Sequence, residues 1–244
     1  MELREFRAVL PSTQTEAIRR ARAGAPEGTC VVARAQSDGR GRLDHTWASP
    51  PGGLYLSAVF RTPTFRSSLL SLAVGARLRS AFDSEFGVSS SLKWPNDLLV
   101  PSPGRPRKLA GILVDQVPSP TLGSACVIGL GVNVASPNDS FPSELRDRVA
   151  ALADFLTPPP SLEKVEEVAV AATRSAVRAL DSTTGGEAIL AECREALHGV
   201  GRRASVDATR YGIIRTLGDE GELWLDAPTG PFAVFAGDVV VEEP

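Results

Sequence analysis

The sequence predicts an α+β protein: a mixed, largely antiparallel sheet with flanking helices, followed by a small barrel-like set of strands. Three observations carry that prediction. From Leu92 to Val134, strand-like apolar runs follow one another with no helix between them, which favours antiparallel pairing over a doubly wound sheet. Helical patterns flank this region, over Ser67 to Phe86 before it and Leu162 to Leu197 after it. Beyond Gly201 the chain breaks into short strands with glycine at the turns, as small barrels do.

The elements follow in order. Thr13 with Glu16 forms a capping-box pattern, and Ala17, Ile18 and Ala21 have helical spacing, so a helix is expected from Thr13 to Gly24, ended by Gly24 and Pro26. Cys30 to Ala33 reads as a strand. The glycine- and arginine-rich stretch from Gln36 to Trp47 has no apolar period and reads as a loop. Leu54 to Phe60 reads as a strand, and Ser67 to Phe86 as a helix apolar on most of its surface and therefore buried. Strands are expected at Leu92 to Trp94, Leu98 to Val100, Gly111 to Val117 and Ala125 to Val134. Helices are expected from Leu162 to Leu180 and from Glu187 to Leu197. Short strands close the chain at Ala204 to Val206, Tyr211 to Leu217, Glu222 to Leu225, Phe232 to Phe235 and Val239 to Val241.

Composition narrows the function. The 244 residues are 43% apolar and 23% charged, which is ordinary for a globular protein long enough to bury a real core. No apolar stretch approaches the ~20 residues needed to span a bilayer. The start, Met1-Glu2-Leu3-Arg4-Glu5, lacks the order of a signal peptide, so a cytoplasmic protein without membrane association is expected. Cys30, Cys126 and Cys193 are far apart and set among apolar residues, as buried reduced thiols are. His45 and His198 have no neighbouring ligand at metal spacing, which disfavours a histidine metal site or a serine–histidine triad. A net charge of −3 disfavours general nucleic-acid binding. Yet from Arg34 to Arg66 five arginines face only Asp38 and Asp44, so an anion is the natural local partner.

Lysine is used sparingly. The chain has only Lys93, Lys108 and Lys164, with arginine carrying the rest of its positive charge. A lysine ammonium is a compact charge whose pKa adjusts to its surroundings, whereas arginine stays protonated. Lys93-Trp94-Pro95-Asn96-Asp97 therefore reads either as a structural ion pair at a strand end or as a ligand site. In the first reading Lys93 and Asp97 must satisfy each other, because an unpaired buried charge is expensive. Gln36 to Arg42, with Gly39-Arg40-Gly41-Arg42, offers close backbone approach and forked donors for carboxylate or phosphate; a solvated loop would look the same. Trp47 either covers an aromatic ring such as a nucleobase or packs on the sheet. Ser12-Thr13-Gln14 caps a helix whose free amides suit anions or polar heterocycles. Gly129-Leu130-Gly131-Val132-Asn133 is a weak signal alone, a bulge or a polar strand end. No nucleophile stands out, and such an inventory suits joining two anions by positioning and charge neutralisation.

In this order the motifs resemble those of biotin protein ligases, over nearly the whole chain. The resemblance implies a class II aminoacyl-tRNA synthetase-like catalytic domain, residues 1–199, and an SH3-like β domain, residues 200–244. It implies ATP and biotin as substrates with Mg²⁺, a biotinyl adenylate intermediate, and transfer to a lysine on the biotin carboxyl carrier domain of a carboxylase. By motif match, Ser12, Thr13, Gln14 and Gln36 would hold the biotin rings, and Arg40, Gly41 and Arg42 would cover biotin and phosphate. Lys108 would neutralise the reacting oxygens, with Arg40 beside it as a catalytic group. Trp47 would cover adenine, while Arg42, Asn96, Asp97 and Asn133 would contact nucleotide or metal.

The chain departs from the family pattern at His45, where members usually carry a basic residue; histidine is only partly charged near neutral pH. Some members begin with a DNA-binding domain and act as repressors, but the eleven residues before Ser12 are too few for one, so repression is not expected. Monomers and homodimers both occur in the family. Three rival readings are a lipoyl or octanoyl protein ligase, which uses different glycine-rich motifs, a non-catalytic biotin-binding module, and an RNA-binding protein. The Arg40 loop favours biotin, Lys108 and Asp97 favour turnover, and the acidic charge balance disfavours RNA.

Overall fold

The computed structural model describes residues 4–43, 45–62, 67–135 and 137–242. Asp44 and Arg66 of the basic stretch, and Met1 to Leu3, lie outside the described residues.

A strand that the sequence pattern hides opens the fold. β1 (Arg4–Leu10) runs parallel to β2 (Cys30–Gln36), with α1 (Thr13–Arg22) as the crossover between them. Its residues, Arg-Glu-Phe-Arg-Ala-Val-Leu, give no clean apolar alternation, because an edge strand does not need one. The N-cap of α1 is Ser12 and not Thr13: the Ser12 hydroxyl accepts from the Thr15 N–H at 3.4 Å. Gly24 then takes φ of 86°, a left-handed conformation that ends the helix at little cost.

The remaining strands of this sheet are antiparallel. β3 (Gly53–Arg61), β4 (Ser91–Lys93), β5 (Asp97–Val100), β6 (Arg107–Ser119) and β7 (Gly123–Asn133) complete the seven-stranded order β1-β2-β3-β7-β6-β5-β4. α2 (Ser67–Phe86) and α3 (Leu162–Leu180) have the expected bounds, and α4 (Thr183–Ala196) starts four residues earlier than expected. Its true start is set by Ser182, whose side chain accepts from the Gly185 N–H at 3.0 Å.

Alternation along the strands sorts two apolar clusters. Leu54, Leu56, Ala58 and Phe60 of β3 share one cluster with α2, α3 and α4, in which Leu70, Leu78 and Phe82 are fully buried. Val31, Val59, Val117 and Val127 point the opposite way and receive Ala17 and Ala21 of α1. α1 covers only part of that face. The uncovered part is the site described below.

β8 (Arg203–Val206), β9 (Arg210–Leu217), β10 (Leu223–Ala227), β11 (Gly230–Val234) and β12 (Val239–Val241) form a second, antiparallel sheet in the order β11-β10-β9-β8-β12. Val206, Leu217, Leu223 and Leu225 belong to the same cluster as α2, so the two sheets share one core. Arg194 of α4 donates to the Leu217 carbonyl at 2.8 Å, and Trp94 donates its Nε1–H to the Gly221 carbonyl at 2.9 Å. No helix among the described residues is long and apolar enough to cross a membrane.

Candidate functional site

On the face that α1 leaves open lies a cavity of about 200 Å³. The sheet beneath carries glycine where side chains would stand, so the side chains of the site lie directly on its floor. On β7, Leu130 and Val132 feed the main core, while Gly129 and Gly131 point to the cavity. A Cβ at Gly129 would lie 2.5 Å from Gln14 Oε1. Gly131 pairs with Gly111 of β6, and the Trp47 indole rests on both; a Cβ at Gly111 would stand 2.7 Å from Trp47 Cζ3, and one at Gly131 would collide with the same ring. These glycines serve close approach of side chains to the sheet.

One end of the cavity is a connected hydrogen-bond network. The Thr13 N–H donates to Gln36 Oε1 at 2.8 Å, which fixes the orientation of the Gln36 amide, and Gln36 Nε2 donates to Ser49 Oγ at 2.8 Å. Thr13 Oγ1 and Ser57 Oγ are 2.9 Å apart, and Ser57 donates to Gln14 Oε1 at 2.9 Å. Gln14 Nε2 donates to the Val127 carbonyl and to Asp115 Oδ2, both at 2.9 Å. Ser12, Thr13 and Gln14 are all under 5% exposed, so a ligand there meets fixed polar groups with little water.

The other end is basic. Lys108 enters the cavity because of a register irregularity: Leu98 pairs with Ala110 and Leu99 with Lys108, leaving Leu109 without a partner. Such a bulge switches the face to which the flanking residues point. Leu109 is fully buried in the core, and the Lys108 side chain lies on the cavity side beside Gly111. The Lys108 N–H donates to the Arg148 carbonyl at 2.7 Å, and its carbonyl accepts from Ala150 at 2.9 Å and Asn133 Nδ2 at 3.3 Å. Lys108 Nζ stands 2.7 Å from Asp97 Oδ1, angled away from a hydrogen bond, and 4.8 Å from the Trp47 ring centroid.

The expected glycine- and arginine-rich loop forms, and the described residues on its two sides pair in the manner of a hairpin. Arg40 and Thr46 form a bridge, Gly41 N–H donates to the His45 carbonyl at 2.7 Å, and Trp47 N–H donates to the Gly39 carbonyl at 2.8 Å. Arg40 Nη1 lies 3.6 Å from Asp115 Oδ2. Arg42 is half-buried; burial lowers its pKa from the ordinary arginine value, while Asp97 and Asp238 pull the other way.

The sequence model of the biotin/lipoate A/B protein ligase family matches residues 6–133, the span that supplies every lining residue of this cavity but Gly237 and Asp238. The chain belongs to that family. Relatives include a bifunctional ligase/repressor BirA of Bacillus spizizenii, 30% identical over 96% of this chain and 72% of its own length. A biotin–acetyl-CoA-carboxylase ligase of Mycobacterium tuberculosis is 30% identical over 94% of this chain and 85% of its own length. Among solved structures, a biotin protein ligase from Aquifex aeolicus in complex with biotin and ATP superposes with a TM-score of 0.83 at 22% identity, covering 99% of each chain, so the two share a fold.

In this member of the ligase family, the cavity brings together most of the residues that the motifs single out. Ser12, Thr13, Gln14, Gln36, Arg40, Gly41, Arg42, Trp47, Asn96, Asp97 and Lys108 all line it. Asn133 does not; it lies 1% exposed beneath Lys108, with Oδ1 unpartnered among the described residues. The expected pairing of Lys93 with Asp97 is not what forms. Lys93 and Asp97 face each other in register and Asn96 N–H donates to the Lys93 carbonyl at 3.1 Å, but the Asp97 carboxylate turns to Lys108 and the Lys93 side chain joins the cavity wall. In the same hairpin, Asn96 is held by Ile112, whose carbonyl accepts from Nδ2 at 2.7 Å.

Ser49, Ser57, Asp115 and Asp238 escape sequence reasoning. Ser57 sits inside an apolar strand run, Asp115 lies midway along β6 outside any motif, and Asp238 arrives from the turn before β12 in the second sheet. Only for Ser57 was there a signal: a lone hydroxyl in a fully buried strand needs a partner.

Proposed function

We propose that the protein is an ATP-dependent biotin protein ligase that activates biotin as biotinyl adenylate and transfers it to a lysine of a carboxylase's carrier domain. The observation that carries this reading is the two-ended cavity: a dry, fixed polar network at one end and Lys108, Arg40 and Arg42 at the other. Biotin matches that division, with a polar ring system and a carboxylate separated by an aliphatic chain. The Mycobacterium tuberculosis relative named as a ligase for acetyl-CoA carboxylase supports the same substrate over lipoate.

The first step joins two anions. The biotin carboxylate oxygen attacks the α-phosphorus of ATP and pyrophosphate leaves with the bonding electrons. Lys108 and Arg40 lower the barrier by placing cations where the oxygens converge, in a site poor in water. A Mg²⁺ ion bound with the ATP phosphates would supply further neutralisation. Asp97 and Asn96 of the wall would offer it oxygen ligands beside those of the phosphates; among the described residues no cluster of three His, Cys, Asp or Glu side chains could hold a metal. On the nucleotide side, Arg42 meets phosphate and Trp47 offers an aromatic face, while Asn133 acts from beneath by holding the Lys108 carbonyl.

In the second step the ε-amine of the acceptor lysine attacks the carbonyl of the mixed anhydride and AMP leaves. We assign the catalytic work to residues 1–199 and place residues 200–244 as a closing β domain that contributes Gly237 and Asp238 to the cavity rim. The buried free thiols suit a reducing cytoplasm. The test is direct: incubate the protein with ATP, Mg²⁺, biotin and a carrier domain and look for carrier mass gain. Labelling with biotin and none with lipoate or octanoate is expected. No labelling of a competent carrier rejects the reading.

A further inference from the structure

We propose that Asp115 is a positioning residue for biotin activation, holding Arg40 in register with the floor of the ring site. The proposal rests on the ligase reading above. Asp115 lies in β6 opposite Val127 of β7 and projects from the same face as Gly111. Its Oδ2 accepts from Gln14 Nε2 at 2.9 Å, and the same oxygen lies 3.6 Å from Arg40 Nη1. One carboxylate oxygen thus joins the most buried part of the cavity to the mobile-chained cation that covers it.

Gln14 makes that oxygen a fixed point. Its second Nε2 proton goes to the Val127 carbonyl, its Oε1 accepts from Ser57, its side chain lies against Gly129, and it is 3% exposed. A side chain with every donor committed cannot swing, so Asp115 Oδ2 cannot follow Arg40; Arg40 must follow it.

The connection also closes on itself. From Asp115 it runs through Gln14, Ser57, Thr13, Gln36 and Ser49, whose hydroxyl donates to the Trp47 carbonyl at 3.0 Å. Arg40 and Trp47 stand at the two ends of one hairpin. The hairpin is therefore tied at both ends to side chains that form the ring site. With one guanidinium nitrogen held by Asp115, the remaining donors of Arg40 are pre-aimed at the biotin carboxylate, and binding need not order that long side chain.

Biotin-dependent pyrophosphate exchange tests this. Asp115→Asn keeps an oxygen to accept from Gln14 and removes the charge that holds Arg40. The expected result is a rise of roughly fivefold to tenfold in KM for biotin, with KM for ATP and Tm unchanged. Asp115→Glu, which keeps the charge, should stay within about threefold of the wild type. In an Arg40→Ala background, Asp115→Asn should add less than about a twofold effect, because the group it acts through is already gone. An unchanged KM for biotin in Asp115→Asn overturns the role of Asp115 alone. So does an equal loss in Asp115→Glu, or a full multiplicative loss in the Arg40→Ala background. No exchange in the wild-type chain overturns the ligase reading and this inference with it.

Discussion

Lys108 Nζ is held 2.7 Å from Asp97 Oδ1 while its stem lies along Gly111, so the cation proposed to neutralise the reacting oxygens is aimed before any substrate arrives. Both partners are only partly exposed, and the aim comes from opposite sides of one strand pair, β5 and β6. Lys108→Ala removes the charge without emptying the core. Adenylate formation, followed by pyrophosphate exchange, should fall by about 10²–10³-fold, the loss typical for one charge-stabilising group, with Tm unchanged. Near-normal exchange would refute the neutralisation argument.

Gly131 and Gly111 form the bed for the Trp47 indole. Gly131→Ala should push that ring out of place, overpacking the floor at a cost of about 1–3 kcal/mol and cutting exchange by more than about tenfold. Combining it with Trp47→Ala should recover stability, as measured by chemical denaturation, because the colliding ring is gone. If the double variant is less stable than either single one, the glycine serves something other than the indole.

Trp94 ties the hairpin at Lys93–Asp97 to the second sheet through the bond to the Gly221 carbonyl. Trp94→Phe keeps most of the apolar contact and leaves that carbonyl buried without a donor, at about 1–3 kcal/mol. For a chain of this size each kcal/mol lowers Tm by about 2–4 °C. A thermal melt that shows no shift would mean that the bond contributes nothing net.

Burial pushes the thiol pKa values of Cys126 and Cys193 up to about 12. An unfolded thiol ionises well below that, at about pH 8.5. Because the folded value is the higher one, these groups add stability below the unfolded pKa and lose it as pH rises towards the folded value. Stability to urea should therefore decline across roughly pH 8.5 to 12 and decline less in Cys126→Ala than in the wild type. A thiol reagent should modify none of the buried free cysteines in the native protein and all of them after denaturation.

Much of this protein is legible in its sequence. α2 and α3 have the bounds that periodicity gives, because each is long and amphipathic or apolar enough for the pattern to be unambiguous. The motif residues that line the cavity are legible too, since lysine, glycine and tryptophan at such spacing answer chemical needs that a plain sheet does not have. β1 is not legible, because an edge strand paired in parallel needs no alternation of its own.

What the tertiary structure decided is which partner each polar group takes. The motifs separate Lys108 from Lys93 but do not give their partners; the unpaired Leu109 turns Lys108 to Asp97 and leaves Lys93 at the wall. Asp115 and Ser57 gain their meaning only when β6 and β3 meet α1 across the sheet. Residue type and spacing are written along the chain, so the family and its chemistry can be read there. The pairings span up to 127 residues, and only the folded register brings their atoms within hydrogen-bond distance.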